Sequence, residues 1–176
     1  MKYAMTTMTV GDQVLTVREI TLDDVDRLQR MFTRLSADTV YHRFFSPIVE
    51  PSRSALIWLT AVDHESRDAL VALDGDEIVA VARYDGRPGA GTAEVAVTVE
   101  DAWQHRGIGR RLTARLARRA VDHGIEAFTA SVMADNRPAL GLLRKLSPDA
   151  SVQFGGGGYE ASMRLSRSAS PRTYAT

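Results

Sequence analysis

Val97-Thr98-Val99-Glu100-Asp101-Ala102-Trp103-Gln104-His105-Arg106-Gly107-Ile108-Gly109-Arg110 carries a strand into a loop and, through two glycines, into a helix. The β-branched run Val97-Thr98-Val99 makes the strand. From Gly109 to His123, Leu112, Leu116 and Ala120 recur on one stripe, Arg111, Arg115, Arg118 and Arg119 are expected to face outward, and Gly124 ends the helix. The first N–H groups of a helix lack internal partners and carry the positive end of its dipole. Glycine lets a ligand approach such a backbone closely. A turn built this way is an anion site, and a pyrophosphate suits it. Arg106, Arg110 and Arg111 add cations where the dipole alone favours acids, an arrangement that makes sense if an external anion sits there. Gly-x-Gly before a helix is nevertheless common, and two better-known phosphate loops fail: there is no G-x-x-x-x-G-K-[ST], and no third glycine with an acidic residue about twenty positions on.

Upstream, Val14 to Arg18 reads as a strand and Thr21 as the cap of a helix with Val25, Leu28, Met31, Phe32 and Leu35 on one stripe. Further helices are expected from Ser36 through Phe45, stopping at Ser46-Pro47, and from Ser52 to Val62. Strands follow at 69–73 and 77–84 around the turn Asp74-Gly75-Asp76, and at 92–100. Downstream come a strand over 125–133, a helix over 136–146 and a strand pair, 151–154 and 159–165, around four glycines. A meander followed by a β-α-β unit implies an α/β (α+β) fold: a mixed, mostly antiparallel sheet of about seven strands with helices on both faces. Residues 1–165 form one domain in this reading, and the polar tail 166–176 is expected to be disordered.

Lys and Arg balance Asp and Glu at 22 each, so global charge points to neither nucleic acid nor an anionic membrane. The absence of cysteine excludes a disulfide framework, a zinc-thiolate site and a cysteine nucleophile. His42, His64, His105 and His123 lack metal spacing, and no metal is expected. No apolar run approaches a membrane span of about 20 residues, and the first thirteen residues lack a signal-peptide core; the expectation is a cytoplasmic protein.

Gln104-x-x-Gly107-x-Gly109, after a strand and opening an amphipathic helix, resembles the acetyl-CoA signature of the GNAT superfamily, and the element order and Asn136-Arg137-Pro138-Ala139 agree with that family's layout over residues 14 to 165. The resemblance implies acetyl-CoA as cosubstrate, with the backbone of Val97, Thr98 and Val99 on the pantetheine arm. It also implies that the amides of His105, Arg106, Gly107, Ile108, Gly109 and Arg110 hold the pyrophosphate, and that Asn136 sits near the thioester. Asn136 is equally placed to cap its helix. A tyrosine that many members use to protonate the leaving thiolate aligns with Leu143; Tyr84 and Tyr159 are conceivable substitutes, each equally readable as packing.

An alkyl amine has a pKa near 10.4, so freeing it at pH 7 costs roughly 4–5 kcal/mol and calls for a base. Strand alternation puts Glu94 on one face with Ala96 and Thr98, whose small size leaves room for a substrate, while Val95, Val97 and Val99 take the other. A glutamate here also resembles the catalytic one of many GNAT lysine acetyltransferases; otherwise it is a solvent-facing strand carboxylate. Leu35 through Phe45, Asp63-His64 and Ala93-Glu94-Val95-Ala96 resemble the catalytic domain of bacterial Pat-type protein-lysine acetyltransferases. This implies a protein lysine as acceptor, such as one on an acyl-CoA synthetase. Tyr41 to Phe45 either line the acceptor cleft or pack on the sheet. A polyamine or aminoglycoside acceptor, and a non-catalytic acyl-CoA-binding module, are the competing readings. Pat-type relatives often carry a regulatory domain or a synthetase module, and neither is expected within these 176 residues.

Overall fold

The computed structural model describes residues 5–45 and 50–166. The expected helix stop at Ser46-Pro47 and all of the expected tail beyond Ser166 lie outside these residues. In chain order the elements are β1 (Thr6–Val10), β2 (Gln13–Glu19), α1 (Val25–Arg34), α2 (Ala37–Phe44), α3 (Arg53–Thr60), β3 (Arg67–Asp74), β4 (Glu77–Gly86), β5 (Thr92–Val99), α4 (Ile108–Asp122), β6 (Ala127–Met133), α5 (Arg137–Leu146), β7 (Ser151–Gly155) and β8 (Gly158–Arg164). The strands form a single sheet in the order β1-β2-β3-β4-β5-β6-β8-β7, antiparallel except at β5–β6.

The sheet has eight strands where the sequence led us to expect about seven. The addition is β1, Thr6-Thr7-Met8-Thr9-Val10, which closes a hairpin on β2 through Gly11-Asp12. It reads as polar, but alternation sends only Met8 and Val10 inward, and both are buried. Long-range clamps complete it: Arg115 donates to Thr7 O at 2.9 Å and to Thr6 Oγ1 at 2.8 Å, and Arg111 donates to Thr9 O.

The period of two also divides the core. Leu70 and Ala72 of β3 pack with Leu112 and Leu116 of α4, whereas Ala69, Val71 and Leu73 pack with Leu28 and Met31 of α1 and Leu56 of α3. Helices therefore cover both faces.

Arg119 departs from its expected outward placement. It lies one helical turn beyond Leu116, on the edge of the apolar stripe, and is buried. Its Nε donates to Asp68 Oδ2 at 2.6 Å and its Nη2 to Glu19 Oε1 at 2.8 Å, while His64 Nδ1 lies 2.7 Å from Asp68 Oδ1. Burial works against the Asp68 charge, yet the hydrogen bonds from His64 and Arg119 outweigh it and hold the carboxyl below its usual range.

Candidate active site

β5 and β6 run parallel and pair only as Thr92–Ala127, Ala93–Phe128 and Glu94–Thr129. Beyond Glu94 the strands separate. The edge of β5 from Val95 to Val99 has no partner on that side among the described residues, although its other edge stays paired to β4. A cavity of about 690 Å³ fills the opening. Glu94 therefore stands at the vertex of a V, and α4 and α5 begin at the C-terminal ends of its two arms.

The loop between β5 and α4 has the backbone of an anion site. His105 has φ 60 and Gly107 φ 76, both left-handed. No side chain caps α4, its first turn holds no acid, and its first internal bond runs from Arg111 N to Gly107 O at 3.1 Å. The N–H groups of Ile108, Gly109 and Arg110 are thus left at the open helix end. Gly109 brings α4 onto β5: a Cβ there would stand 3.4 Å from Val99 Cγ2 and 3.6 Å from Val97 Cγ2.

Of the residues anticipated at the site, Glu94, Val97, Thr98, Val99, Gln104, His105, Gly107, Ile108, Gly109, Arg110 and Asn136 all line this cavity. Arg106 does not. Its side chain turns back to Gln13 Oε1 at 3.2 Å and over Trp103, leaving only its backbone in the loop. Arg111, expected to face an external anion, is committed to β1 instead. The Gln104 side chain is a brace, donating to Val99 O at 3.1 Å and to Thr39 Oγ1 at 3.2 Å. Asn136 caps α5 by accepting from Ala139 N at 3.1 Å and borders the cavity as well, so its two expected placements coexist.

Leu143 is buried in the core, as an apolar residue at that position should be. Tyr84 Oη donates to Glu65 O at 2.8 Å and lies 3.1 Å from His123 Nδ1, while Tyr159 packs edge-on against Phe154; neither lines the cavity. Among the described residues no phenol lines it, and no group of three or more His, Asp and Glu is spaced to hold a metal.

Sequence reading had not singled out the ties that hold α2 over the cleft. Asp101 accepts from Ser36 N at 2.9 Å and from Thr39 Oγ1 at 2.9 Å, and His42 Nε2 lies 3.1 Å from Asp135 Oδ1 across the opening. Separations of 62 to 93 residues gave no local pattern to find these pairs.

A family model described as "Acetyltransferase (GNAT) family" matches residues 29–147. The chain belongs to the GNAT family. It is 34% identical over 134 residues to Acetyltransferase Pat of Mycolicibacterium smegmatis, a match covering 74% of this chain and 40% of that protein. The GNAT chain thus spans well under half of that relative. With Acetyltransferase PA5475 of Pseudomonas aeruginosa it shares 32% identity over 153 residues, covering 81% and 82%. The GNAT domain of S. lividans PAT superposes with a TM-score of 0.85 at 30% identity, covering 93% of this chain and all of that one. In this GNAT family member the V offers three things to a reaction: a free strand edge, an uncapped helix end beyond it and a carboxylate at the vertex where the two strands meet.

Proposed function

We propose that this GNAT enzyme transfers the acetyl group of acetyl-CoA to the side-chain amine of a protein lysine, with Glu94 as general base. The observation that carries the reading is the position of Glu94. It is the last residue of β5 paired to β6, it borders the cavity, and no described residue hydrogen-bonds or ion-pairs with its carboxylate. Its cross-strand neighbour Asp85 is occupied by Arg67 and Arg83, at 2.8 and 2.9 Å, and is held below the usual carboxylate range by these partners against the effect of burial. Of the two adjacent carboxylates, only Glu94 is disengaged.

The residues fit the donor by chemistry. The unpaired β5 edge suits the amides of a pantetheine arm, which would extend the sheet as an added strand. The open amides at the start of α4 suit a pyrophosphate. Acetyl-CoA supplies the activated acyl group. Glu94 then takes one proton from the lysine ammonium, directly or through a water, and the freed nitrogen attacks the thioester carbon as the C–S bond breaks. The nitrogen gives up its second proton to solvent as the amide forms, and the leaving thiolate takes one proton up from solvent. The similarity to proteins named Pat supports a protein acceptor, an acyl-CoA synthetase being the class to try first.

Glu94→Gln keeps the shape of the side chain and cannot take the proton. We expect kcat to fall by about 10²–10⁴ with acetyl-CoA affinity retained in calorimetry. A rate within about threefold of wild type would remove Glu94 from the mechanism. Incubation with acetyl-CoA and a panel of acyl-CoA synthetases, polyamines and aminoglycosides, read by mass spectrometry, tests the acceptor. Efficient modification of a small amine with no protein acetylated would overturn the lysine assignment.

A further inference from the structure

One face of the sheet around Glu94 carries more positive charge than a base site for a cationic amine would be expected to tolerate. Register places Arg83 opposite Ala96 and Asp85 opposite Glu94, and Arg67 reaches Asp85 from β3. From α2, Arg43 descends to line the cavity beside Glu94, Ala96 and Thr98, and it also borders the small hollow beneath, next to Arg83. Three guanidiniums here face two carboxylates, Asp85 and Glu94. Arg67 and Arg83 are committed to Asp85, to the backbone carbonyls of α3 and to the Trp58 ring. Arg43 differs. Its guanidinium lies 4.9 Å from the Phe44 ring centre, and no described carboxylate is within ion-pairing distance of it. Burial, and then the charge of Arg83, push its pKa down to about 10, with Asp85 and Glu94 acting the other way.

An unpaired, largely buried cation is costly unless something neutralises it. A lysine ammonium brought to Glu94 raises the local excess of positive charge from one to two. An acceptor that carries a carboxylate close to its amine cancels that increment and gives Arg43 the fork-shaped partner its guanidinium is built to hold. The other charges on the cavity wall do not serve this end. Asp38 and Asp135 hold His42 between them, and Arg110, Arg137 and Lys145 belong to α4 and α5, which pack on the face of the sheet opposite to Glu94.

We propose that Arg43 anchors a carboxylate of the acceptor, so that the enzyme selects lysines flanked by an aspartate or glutamate. This rests on the protein-lysine reading above and adds to it the charge of the sequence around the target.

The test uses peptides with one lysine and a single Glu at each of three positions on either side, together with their Gln and Arg counterparts. For wild type we expect kcat/KM for the best Glu peptide to exceed its Gln counterpart by about tenfold, and its Arg counterpart by more, as a hydrogen-bonded charge pair predicts. In Arg43→Gln that ratio falls towards one, while acetyl-CoA affinity by calorimetry reports a folded donor site. Arg43→Lys retains the charge and part of the preference. If Arg43→Gln fails to bind acetyl-CoA, the wild-type panel and Arg43→Lys decide. Equal rates for Glu, Gln and Arg peptides would overturn the anchor and leave the lysine reading standing. No turnover of any peptide, with Arg43-dependent acetylation of a carboxylate-bearing small amine, would overturn the lysine reading and leave the anchor standing. A preference for succinyl-CoA over acetyl-CoA that Arg43→Gln removes, without acceptor selectivity, would place the carboxylate on the donor and refute the proposal.

Discussion

At Gly107, φ is 76 and no heavy atom lies within 4 Å of the place a Cβ would take. Alanine therefore has room there, and its cost is conformational, about 1 kcal/mol for an L-residue held left-handed. Glutamate adds a negative charge at the helix end where the donor pyrophosphate is expected. Calorimetry should find acetyl-CoA affinity within a few-fold of wild type for Gly107→Ala and at least about tenfold weaker for Gly107→Glu, since charge at a helix terminus acts within its first turn. Equal affinity of Gly107→Glu and wild type would take this loop out of donor binding. The loop could be read in advance because glycine spacing before a helix is a local property. Arg43 could not be resolved so early. Its neighbours in sequence, Tyr41 to Phe45, allow a helix packed on the sheet as readily as one lining a cleft, and only the register of Arg83 and Glu94 on distant strands shows what Arg43 faces.

Helix α4 is locked at both ends by arginines, and the deeper lock responds to pH. The hydrogen bond to Asp68 raises His64 above its ordinary value, with burial opposing. The pair therefore stabilises the fold fully below the ordinary histidine pKa of about 6.5, and that share is lost as pH rises through the raised folded value. Asp68 is lowered, so its share is present above about 3.9 and is lost as pH falls through its folded value. In urea titrations His64→Gln should lose stability relative to wild type at pH 6, and the gap should close by about pH 9. Asp68→Asn takes a charged partner from the buried Arg119 and should cost roughly 3 kcal/mol at neutral pH. Helix α2 depends on a lighter tie. Asp101→Ala removes the acceptor for Ser36 and Thr39, and we expect a several-fold rise in KM for the acceptor peptide with donor affinity little changed, because each hydrogen bond lost is worth about 1 kcal/mol. Periodicity placed the long helices and the meander well, because those patterns are short-range. It failed at β1, where only Met8 and Val10 face inward from a five-residue strand, and at Arg119, whose position on the wheel lies at the border of the apolar stripe while its partner is 51 residues away.

Among the described residues the strands form one sheet in two portions, five strands up to β5 and three from β6 onward, joined by the three residue pairs at the foot of the V. A donor lying along the free edge of β5 binds the folded state alone and should stabilise it by about 2.7 kcal/mol at a hundred times its dissociation constant. Amide exchange in Val95–Val99 should slow on addition of acetyl-CoA, while that of β3, already paired on both sides, should stay unchanged. Unaltered exchange along β5 at saturating donor would rule out sheet extension as the binding mode. Mechanically, the divergence of β5 from β6 is a notch. A pull that draws β1 away from β7 meets its shortest ladder there, so the stress concentrates on Thr92, Ala93 and Glu94. Without donor the sheet should tear first at the residue proposed as the base, and a bound donor, bridging the notch, should move the point of failure elsewhere.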